Sequence, residues 1–413
     1  MNYGCIGEHL CHSFSPEIHR LIGRYDYELR EVPKDELGTF MKAREFRGIN
    51  VTIPYKQVVI PYLDRISDTA AAIGAVNTVV NRNGVLWGYN TDSGGMQALI
   101  RRMQLNLSGK KVLILGTGGT SRTALAVAGS LGAMEVLRVS RRKTEGVISY
   151  DEAITSHADA DVIINTTPRG MYPDVGSCPI DLSRFVHLSG VVDAIFNPIS
   201  SRLVLTAREL GIPAAGGLYM LVSQAVAAAE LFTGAPCEPG VADRIYRQLL
   251  RQKGNLVLIG MPGSGKTSVG RRAAELLNRP FIDLDEVISN RAGKPIPDIF
   301  SQDGEAVFRR IESGIVREIS SQNGLVIATG GGCVLCHENV ENLRMNGRLI
   351  FLDRPLGELV PTADRPLADS RRKMEYLYKA RHKIYQAAAD ATVPVTGDIG
   401  HTAAAAIEVF CEE

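Results

Sequence analysis

The sequence predicts an α/β fold made of two modules, and three observations support this prediction. Apolar runs alternate with helix-like segments along most of the chain, which is typical of α/β layers. The runs 112–115 and 256–259 each lead into a glycine-rich turn, so the pattern of strand, loop and helix begins twice. The chain has 413 residues, which is more than one hydrophobic core usually supports.

The order of apolar runs and turn residues gives the expected elements. Short strands with flanking helices come first, and a second α/β unit, an alanine-rich helical stretch and the restarted pattern follow. The expected strands are 3–7, 28–33, 48–53, 112–115, 135–139, 161–165, 190–194 and 256–259, and the expected helices are 16–25, 35–43, 122–131, 218–233 and 239–251.

Composition and charge limit the class of function. Lysine and arginine total 46 against 45 acidic residues, so we expect no binding of nucleic acid or of a membrane surface. No apolar run is long enough to span a bilayer, and the first residues show no secretory signal pattern. The 7 scattered cysteines favour reduced thiols. We expect a cytoplasmic protein that acts on small molecules, and the oligomeric state is left open.

The second glycine-rich turn has the spacing of a phosphate-binding loop. Residues 260–267 read Gly-Met-Pro-Gly-Ser-Gly-Lys-Thr, after a strand and before a helix. Backbone N–H groups of such a loop surround nucleotide phosphates, the lysine reaches the β- and γ-phosphates, and the threonine binds Mg²⁺. The alternative is a glycine turn that matches by chance. The predicted nucleotide-binding residues are Gly263, Ser264, Gly265, Lys266 and Thr267.

The next apolar segment carries two carboxylates. A predicted strand ends at 281–285, and alternation along it would place Asp283 and Asp285 on one face. One carboxylate could organise Mg²⁺ and the other could deprotonate an acceptor hydroxyl. The alternative is one helix cap and one surface carboxylate. The later motifs are Phe-Arg-Arg-Ile-Glu at 308–312, Gly-Gly-Gly at 330–332, Asp-Arg-Pro-Leu at 364–367 and Arg-His-Lys-Ile-Tyr at 381–385.

In this order, the motifs of residues 254–413 resemble shikimate kinase. The resemblance implies that Asp285, Arg309, Gly331 and Arg381 bind shikimate, since two arginines suit a carboxylate. It also implies Mg²⁺ binding by Thr267 and Asp283, catalytic roles for Lys266, Asp285 and a lid residue, Arg365, and orientation of Arg309 by Glu312. Two departures concern the nucleotide: the lid segment 357–364 has no second arginine, and 395–399 lacks the basic residue often seen there.

The first glycine-rich turn suits a dinucleotide. Residues 116–121 read Gly-Thr-Gly-Gly-Thr-Ser, so a serine replaces the third glycine of the usual fingerprint. The next predicted strand ends in Ser140, Arg141 and Arg142, where dinucleotide folds recognise the ribose. An acid there would favour NAD, whereas these basic residues suit the 2′-phosphate of NADP. The alternative is an ordinary charged turn.

Further motifs surround this turn. They are Ser-Phe-Ser-Pro at 13–16, Asn-Val-Thr-Ile-Pro-Tyr-Lys at 50–56, Gly-Ala-Val-Asn-Thr at 74–78, Gly-Tyr-Asn-Thr-Asp at 88–92, Asn-Thr-Thr-Pro-Arg-Gly-Met at 165–171, Asp-Ala-Ile-Phe-Asn-Pro at 193–198 and 217–224. This ordered set resembles shikimate dehydrogenase over about residues 1–250.

The resemblance implies a role for each group. Lys56 would supply a proton to the developing alkoxide while Asp92 holds the lysine. Taken singly, several of the other residues would be read as caps or turns, and Ser15 before Pro16 as a helix N-cap. The family usually has tyrosine where this chain has Phe196. The implied substrate ligands are Ser13, Ser15, Thr52, Asn77 and Gln224, and the implied cofactor ligands are Gly116, Gly118, Gly119, Ser140, Arg141, Arg142, Thr166, Met171 and Gly217.

The two resemblances together give the expected organisation. A dehydrogenase module at 1–252 would comprise an α/β substrate subdomain (1–92, with return helices at 218–250) and a Rossmann subdomain (93–217). A P-loop module of the nucleoside-monophosphate-kinase type, with three α/β/α layers, would follow at 253–413. We expect NADPH-dependent reduction of 3-dehydroshikimate to shikimate, then ATP- and Mg²⁺-dependent phosphorylation to shikimate 3-phosphate. The alternatives are a quinate/shikimate dehydrogenase with relaxed cofactor use, fused to a kinase, and a non-catalytic shikimate-binding regulator.

One local pattern suggests a different cofactor. Cys333, Cys336 and His337 match the spacing of covalent haem attachment. That chemistry requires an exported chain, and a zinc site would require a second ligand pair at metal spacing. We therefore expect two ordinary thiols beside a surface histidine.

Overall fold

The computed structural model describes residues 1–10, 13–142, 144–359 and 370–412. The chain divides into two compact units, Met1–Gln248 and Leu249–Glu413. The division lies within one helix, Val241–Lys253, whereas the boundary expected from the sequence lies between 252 and 253. Within the described residues, no helix is both long and apolar enough to cross a membrane.

The first unit begins with a mixed sheet. Its strands run in the order β2-β1-β3-β5-β6-β4, and β5 is antiparallel to both of its neighbours. The register aligns Cys5 with Asn50 and Asn50 with Thr78, so three residues of the later site lie in one row across the sheet. The elements are β1 (Tyr3–Gly7), α1 (Ser15–Ile22), β2 (Glu28–Glu31), α2 (Leu37–Ala43), β3 (Gly48–Val51), β4 (Arg65–Ile66), α3 (Asp68–Ile73), β5 (Thr78–Arg82) and β6 (Val85–Tyr89).

A second, parallel sheet follows in the same unit, in the order β12-β11-β10-β7-β8-β9. Its central strands are apolar and buried, as expected for strands covered by helices on both faces. The elements are α4 (Thr91–Arg102), β7 (Lys111–Leu115), α5 (Gly119–Ser130), β8 (Glu135–Val139), β9 (Val147–Ile148), α6 (Tyr150–Ser156), β10 (Val162–Asn165), β11 (Gly190–Asp193), α7 (Arg202–Glu209), β12 (Ala214–Ala215), α8 (Leu218–Thr233) and α9 (Val241–Lys253).

The second unit contains one parallel sheet, in the order β14-β15-β13-β16-β17. Strand β13 is central and leads into the phosphate-binding loop. Short 3₁₀ turns lie at Cys333–Leu335 and Leu356–Glu358 in this unit, and at Ile60–Tyr62 and Leu182–Arg184 in the first unit. The elements are β13 (Asn255–Ile259), α10 (Lys266–Leu277), β14 (Phe281–Asp283), α11 (Leu284–Ala292), α12 (Ile296–Gln302), α13 (Glu305–Ser320), β15 (Val326–Ala328), α14 (His337–Asn346), β16 (Gly347–Asp353), α15 (Arg371–Ala388), β17 (Ala391–Pro394) and α16 (Ile399–Cys411).

The fold class predicted from the sequence is confirmed, but the strand predicted at 281–285 is wrong. The strand expected at 281–285 stops at Asp283, and helix α11 begins at Leu284. Asp283 is the N-cap of that helix, because its Oδ1 accepts a hydrogen bond of 3.0 Å from the backbone N–H of Asp285. The two carboxylates therefore share a cavity through a strand-to-helix turn, not through alternation along a strand.

The sequence reasoning also missed the hairpin formed by β5 and β6. Asn83 and Gly84 connect the strands, and both have positive φ values, 54° and 87°. Asn-Gly between two apolar runs is a strong hairpin signal. The hairpin matters for the site because Asn77 comes before its first strand and Thr91 follows its second.

Candidate active sites

A lysine and an aspartate form a close pair in the first unit. The Nζ of Lys56 donates to Oδ2 of Asp92 at 2.7 Å, and the two side chains are 16% and 9% exposed. Lys56 lies on the loop after β3, and Asp92 lies in the first turn of α4. A carboxylate is favoured at a helix N-terminus, where backbone N–H groups point outward. The pair is therefore fixed in one geometry and largely shielded from solvent.

Asn77 holds the other oxygen of Asp92. Its Nδ2 donates to Oδ1 of Asp92 at 2.8 Å, and its Oδ1 accepts from the backbone N–H of Thr91 at 2.7 Å. Asn77 is buried. Both carboxylate oxygens are thus bonded, so the position of the lysine depends on Asn77 through Asp92.

A cavity of about 230 Å³ opens beside this pair. Its wall comes from the first sheet, from the segments that follow strands β10 and β11 of the second sheet and from α8, which suits a ligand held between two subdomains. The Oγ of Ser13 accepts from the N–H of Ser15 at 3.2 Å, and among the described residues Ser13 is not part of the wall. The wall includes Cys5, Ser15, Asn50, Thr52, Lys56, Asn77, Asp92, Thr166, Met171, Phe196, Gly217 and Gln224.

The hydroxyl of Ser15 does not cap helix α1. The N-cap is Phe14, which makes no side-chain cap bond. Ser15 is the first helical residue, and Pro16 is the second. The cap role considered for Ser15 from the sequence is therefore wrong. The reason is that Pro16 is accommodated at the second helical position, which moves the cap one residue earlier.

Two wall residues were not assigned from the sequence. Asn50 accepts at Oδ1 from the hydroxyl of Tyr27 at 2.7 Å and donates from Nδ2 to Thr78 at 3.1 Å. Cys5 lies beside Asn50 in the sheet register, and burial raises the pKa of its thiol to about 12. The thiol therefore stays neutral. Asn50 belongs to the motif 50–56 and could have been found there, whereas nothing local marks Cys5.

A buried carboxylate, Asp193, anchors the loop that carries Phe196. Asp193 accepts hydrogen bonds from Asn165 at 2.9 Å, from Ser201 at 2.5 Å and from the N–H of Ile195 at 3.0 Å. Burial raises the pKa of Asp193 to about 6. The ring of Phe196 packs edge-to-face on the ring of Phe14, with the centroids 5.3 Å apart. Phe196 therefore makes an aromatic contact at the position where the family usually has tyrosine.

The glycine-rich loop 116–121 lies against Lys56. A Cβ at Gly116, whose φ is +112°, would lie 2.8 Å from the Oγ1 of Thr166. A Cβ at Gly119 would lie 3.5 Å from the Cδ of Lys56. The Ser121 hydroxyl donates to the carbonyl of Gly116 at 2.7 Å, so the serine that replaces the third glycine closes the loop. This cradle of backbone fits a dinucleotide.

A larger cavity of about 900 Å³ extends from this loop. Gly116, Gly118, Gly119, Ser140, Arg141 and Thr166 all line it, together with Lys56. In the described part of the chain, Arg142 is not on the wall, but Arg169 is. Burial raises the pKa of Tyr150, and the charges of Arg169 and Arg141 oppose that rise, so both arginines lie close to this ring. Arg169 lies in the motif 165–171, but no role was predicted for it from the sequence.

Gly217 and Met171 both line the smaller cavity. A Cβ at Gly217 would collide with the backbone carbonyl of Ala194, so only glycine fits there. Met171 is 38% exposed on the wall of the smaller cavity. The cavity wall therefore includes backbone at Gly217 and a thioether side chain at Met171.

The phosphate-binding loop of the second unit follows β13. The Nζ of Lys266 donates to the carbonyls of Gly260 and Met261, each at 2.9 Å, and Lys266 is buried. Positive φ values at Gly263 (81°) and Gly265 (95°) give the loop its curvature. Ser264 is fully buried within the loop. The ammonium group is thus held on the loop backbone.

Thr267 and Asp283 provide oxygen ligands suited to Mg²⁺. The Oγ1 of Thr267 donates to Oδ2 of Asp283 at 2.7 Å. Mg²⁺ prefers hard oxygen ligands, commonly one hydroxyl or carboxylate with phosphate oxygens and water. The residues present therefore fit the ion.

The three consecutive glycines each face a different group. A Cβ at Gly330 would lie 2.7 Å from Oδ1 of Asp285, and one at Gly331 would lie 2.8 Å from the ring of Pro262. A Cβ at Gly332 would collide with the guanidinium of Arg309. The loop 330–332 therefore brings the carboxylate, the phosphate-binding loop and an arginine together.

Arginines complete a cavity of about 380 Å³. Arg309 donates to Glu312 at 2.8 Å and to Glu305 at 3.1 Å, and Arg381 donates to the carbonyl of Gly331 at 3.1 Å. Burial raises the pKa of Glu312 and the charge of Arg309 opposes this. The predicted lid residue Arg365 lies outside the described residues. Cavity residues include Lys266, Thr267, Asp283, Asp285, Arg309, Gly331, Arg354 and Arg381.

Cys333 and Cys336, whose spacing matches that of haem attachment, lie in different environments, since Cys333 is buried and Cys336 is partly exposed. Cys333 is fully buried behind the glycine loop, and burial raises its pKa well above the usual value. Among the described residues, Cys333 and Cys336 are free thiols. Cys333 is therefore part of the apolar core of the second unit.

The fold and the two sites define a dinucleotide-dependent oxidoreductase joined to a P-loop phosphotransferase. Residues 5–79 match the family model of the shikimate dehydrogenase substrate binding domain, and residues 262–410 match that of shikimate kinase. Shikimate dehydrogenase (NADP(+)) of Clostridium perfringens is 35% identical over 265 residues, covering 60% of this chain and 97% of that protein. The chain belongs to the shikimate dehydrogenase family and carries a shikimate kinase domain; it is a bifunctional enzyme of the shikimate pathway.

Solved structures agree with the assignment of the first unit. A chorismate mutase/shikimate 5-dehydrogenase fusion protein from Clostridium acetobutylicum is 38% identical with a TM-score of 0.57, covering 60% of this chain and 96% of that chain. Shikimate 5-dehydrogenase from Thermus thermophilus, in complex with NADP(H) and shikimate, is 28% identical with a TM-score of 0.54, covering 60% and 99%.

Proposed function

We propose that the first unit reduces 3-dehydroshikimate to shikimate with NADPH, and that the second phosphorylates shikimate at its 3-hydroxyl with ATP. The observation that carries the first reaction is the Lys56–Asp92 pair: both residues line the small cavity, and Lys56 also lines the larger cavity beside the dinucleotide loop. The product of the first reaction is then the acceptor of the second.

The paired residues supply the proton. NADPH bound at the glycine-rich loop supplies the hydride. As charge develops on the carbonyl oxygen, Lys56 donates a proton from Nζ, and Asp92 keeps the ammonium directed into the cavity. Asn77 stabilises the carboxylate through its Nδ2. Gly119 brings the cofactor loop alongside the stem of Lys56.

The remaining polar wall orients the substrate. We propose that Ser15 binds the substrate carboxylate, with Ser13 supporting it through the turn. Thr52, Asn77 and Gln224 bind the ring hydroxyls, since each presents a donor or acceptor to the same cavity. Met171 and Gly217 pack near the junction with the cofactor.

The choice between NADP and NAD depends on cationic groups that line the larger cavity. We propose that Ser140, Arg141 and Arg169 bind the 2′-phosphate of NADP, because all three line this cavity. Arg142 contributes less, as it lies off the described wall. Gly116, Gly118 and Thr166 bind the pyrophosphate side.

In the second unit, Asp285 accepts the proton of the acceptor hydroxyl. Arg309 and Arg381 bind the shikimate carboxylate, and Gly331 brings the backbone close to it. Loop N–H groups and Lys266 bind the ATP phosphates. Thr267 and Asp283 would hold Mg²⁺, which neutralises phosphate charge when bound. The role of Arg365 is carried over from the resemblance alone.

The domain assignment is part of the proposal: dehydrogenase at 1–252 and kinase at 253–413. A test compares fragments 249–413 and 254–413. Arg279 donates to the carbonyls of Arg251 and Gly254 at the end of α9, and Leu249 is fully buried. We expect the longer fragment to unfold at a higher temperature, because only it keeps Leu249 and the contact of Arg279 with Arg251, and we expect both to phosphorylate shikimate. A folded but inactive 249–413 fragment would contradict the division.

The proposed function is tested with one preparation of the full chain. NADPH absorbance and shikimate 3-phosphate are followed after addition of 3-dehydroshikimate, with and without ATP and Mg²⁺. We expect NADPH loss in both cases and the phosphorylated product only with ATP. Reduction that is equally efficient with NADH, or faster turnover with quinate and NAD, would instead support the relaxed dehydrogenase.

A further inference from the structure

An arginine outside the predicted set lies beside the phosphate-binding loop. Arg354 directly follows β16, the strand paired with β13, and the register aligns Phe351 with Ile259 at the end of β13. Arg354 lines the same cavity as Lys266 and Thr267. Its Nη1 lies 3.5 Å from the carbonyl oxygen of Gly263. The guanidinium is therefore positioned at the loop that receives nucleotide phosphates.

The protein uses few of the hydrogen-bond donors of Arg354. A guanidinium carries five N–H groups. The contact with Gly263 is at the limit of a hydrogen bond, and the Nε is 3.6 Å from Oε2 of Glu358, which is beyond one. The Nε is buried and has no hydrogen-bond partner among the described residues. A buried N–H group without a partner is unfavourable, so this arrangement suits a ligand that supplies acceptors.

The other arginines of the cavity have different partners. Arg309 is bonded to two glutamates, and Arg381 is bonded to the carbonyl of Gly331 in the glycine loop. Arg354 instead approaches the phosphate-binding loop at Gly263. The nearest ligand chemistry is thus a nucleotide phosphate, not the carboxylate of the acceptor.

The backbone before Arg354 is held in place. The carboxylate of Asp353 accepts a hydrogen bond from Nε2 of His382 at 3.0 Å, and the backbone carbonyl of Asp353 accepts from the N–H of Val395 at 2.9 Å. The strand end is fixed both to α15 and to the segment after β17. The side chain of Arg354 therefore extends from a defined position, which reduces the entropy lost on binding.

We propose that Arg354 binds a phosphate oxygen of the nucleotide and sets the affinity of the kinase site for ATP and ADP. The proposal rests on the proposed kinase function. Glu358 is the competing partner: its side chain is 53% exposed, and it neutralises the guanidinium until phosphate replaces it. Arginine suits this role because its planar group can bind phosphate through two N–H groups.

The test uses the full chain. Arg354→Ala should raise the KM for ATP and the Kd of ADP, measured calorimetrically with MgCl₂, about tenfold or more, because a charge-assisted hydrogen bond is lost. The KM for shikimate and the dehydrogenase kcat/KM should stay within twofold. Arg354→Lys should recover part of the affinity. Arg310→Ala is the matched control, since Arg310 is exposed on α13 and should change none of these values.

Other outcomes would overturn the proposal. Unchanged ADP affinity in folded Arg354→Ala would do so, as would a rise in the KM for shikimate alone. If the alanine variant is unstable, Arg354→Gln keeps much of the stem and is measured in its place, and wild-type ADP affinity there has the same meaning. If the unaltered chain binds ADP but does not phosphorylate shikimate, the proposed function fails while the role of Arg354 is still decided by ADP binding.

Discussion

Each unit has a lysine in its candidate site, but the two lysines are held in different ways. Lys56 is bonded to a carboxylate, Asp92, which is itself fixed by Asn77. Lys266 is bonded to the carbonyls of Gly260 and Met261 in its own loop. A side-chain network therefore positions the first lysine, and local backbone positions the second.

This difference fits the roles proposed for the two lysines. A proton donor must be held at one distance from the reacting oxygen, and a paired carboxylate provides both the charge and the direction. A phosphate-binding lysine needs a charge that reaches several oxygens, and loop carbonyls hold it until phosphate arrives.

The largest expected effect comes from removing the paired lysine. Lys56→Ala should lower the dehydrogenase kcat by about 10²–10⁴-fold, the usual contribution of a general acid. Kinase activity, followed by shikimate 3-phosphate formation, should stay near the parent value. Normal reduction of the ketone by the variant would show that another group supplies the proton.

The matching change in the second unit should have a smaller effect. Lys266→Ala should lower kinase kcat/KM about 10²–10³-fold, typical for loss of one charge-stabilising group. Dehydrogenase rates, measured by NADPH absorbance in the same preparation, serve as the internal control. Loss of both activities would mean that the substitution disturbs more than the phosphate-binding loop.

Arginines on the wall of the larger cavity test cofactor binding by the first unit. Arg169→Ala and Arg141→Ala should each raise the KM for NADPH about tenfold and leave the KM for NADH within twofold, since only NADPH carries the 2′-phosphate. Arg142→Ala should change the KM for NADPH less, because Arg142 lies off the described wall. A larger effect at Arg142 than at Arg169 would reverse this assignment.

The smallest expected effect concerns stability. Because burial raises the folded-state pKa of Asp193 to about 6, the folded protein binds this proton more tightly than the unfolded chain does. The resulting stabilisation is complete below about pH 4 and is lost as the pH rises through about 6. Its upper limit is about 3 kcal/mol.

The measurement compares urea unfolding of the parent and of Asp193→Asn between pH 4 and pH 7. The asparagine keeps an acceptor for Asn165 and a polar partner for Ser201. The free energy of unfolding of the first unit should fall less steeply with pH in the variant. Parallel curves would show that Asp193 does not titrate in this range.

Motifs carried by local backbone geometry could be predicted from the sequence. The loop 260–267 needs glycine at positions of positive φ, and a short spacing records that need directly. The loop 116–121 is similar, although the hydroxyl of Ser121 replaces the third glycine. The hairpin turn at Asn83 and Gly84 has an equally clear local signal, since both residues have positive φ values.

Only the tertiary structure decided which distant groups meet. Asp285 enters the kinase cavity from the first turn of a helix, not from a strand, because Asp283 caps that helix. Arg169 joins Arg141, and Arg354 reaches Gly263 across 91 residues of chain. A sequence records local conformational preference directly, but strand register and packing between layers set these contacts, and both depend on the whole core at once.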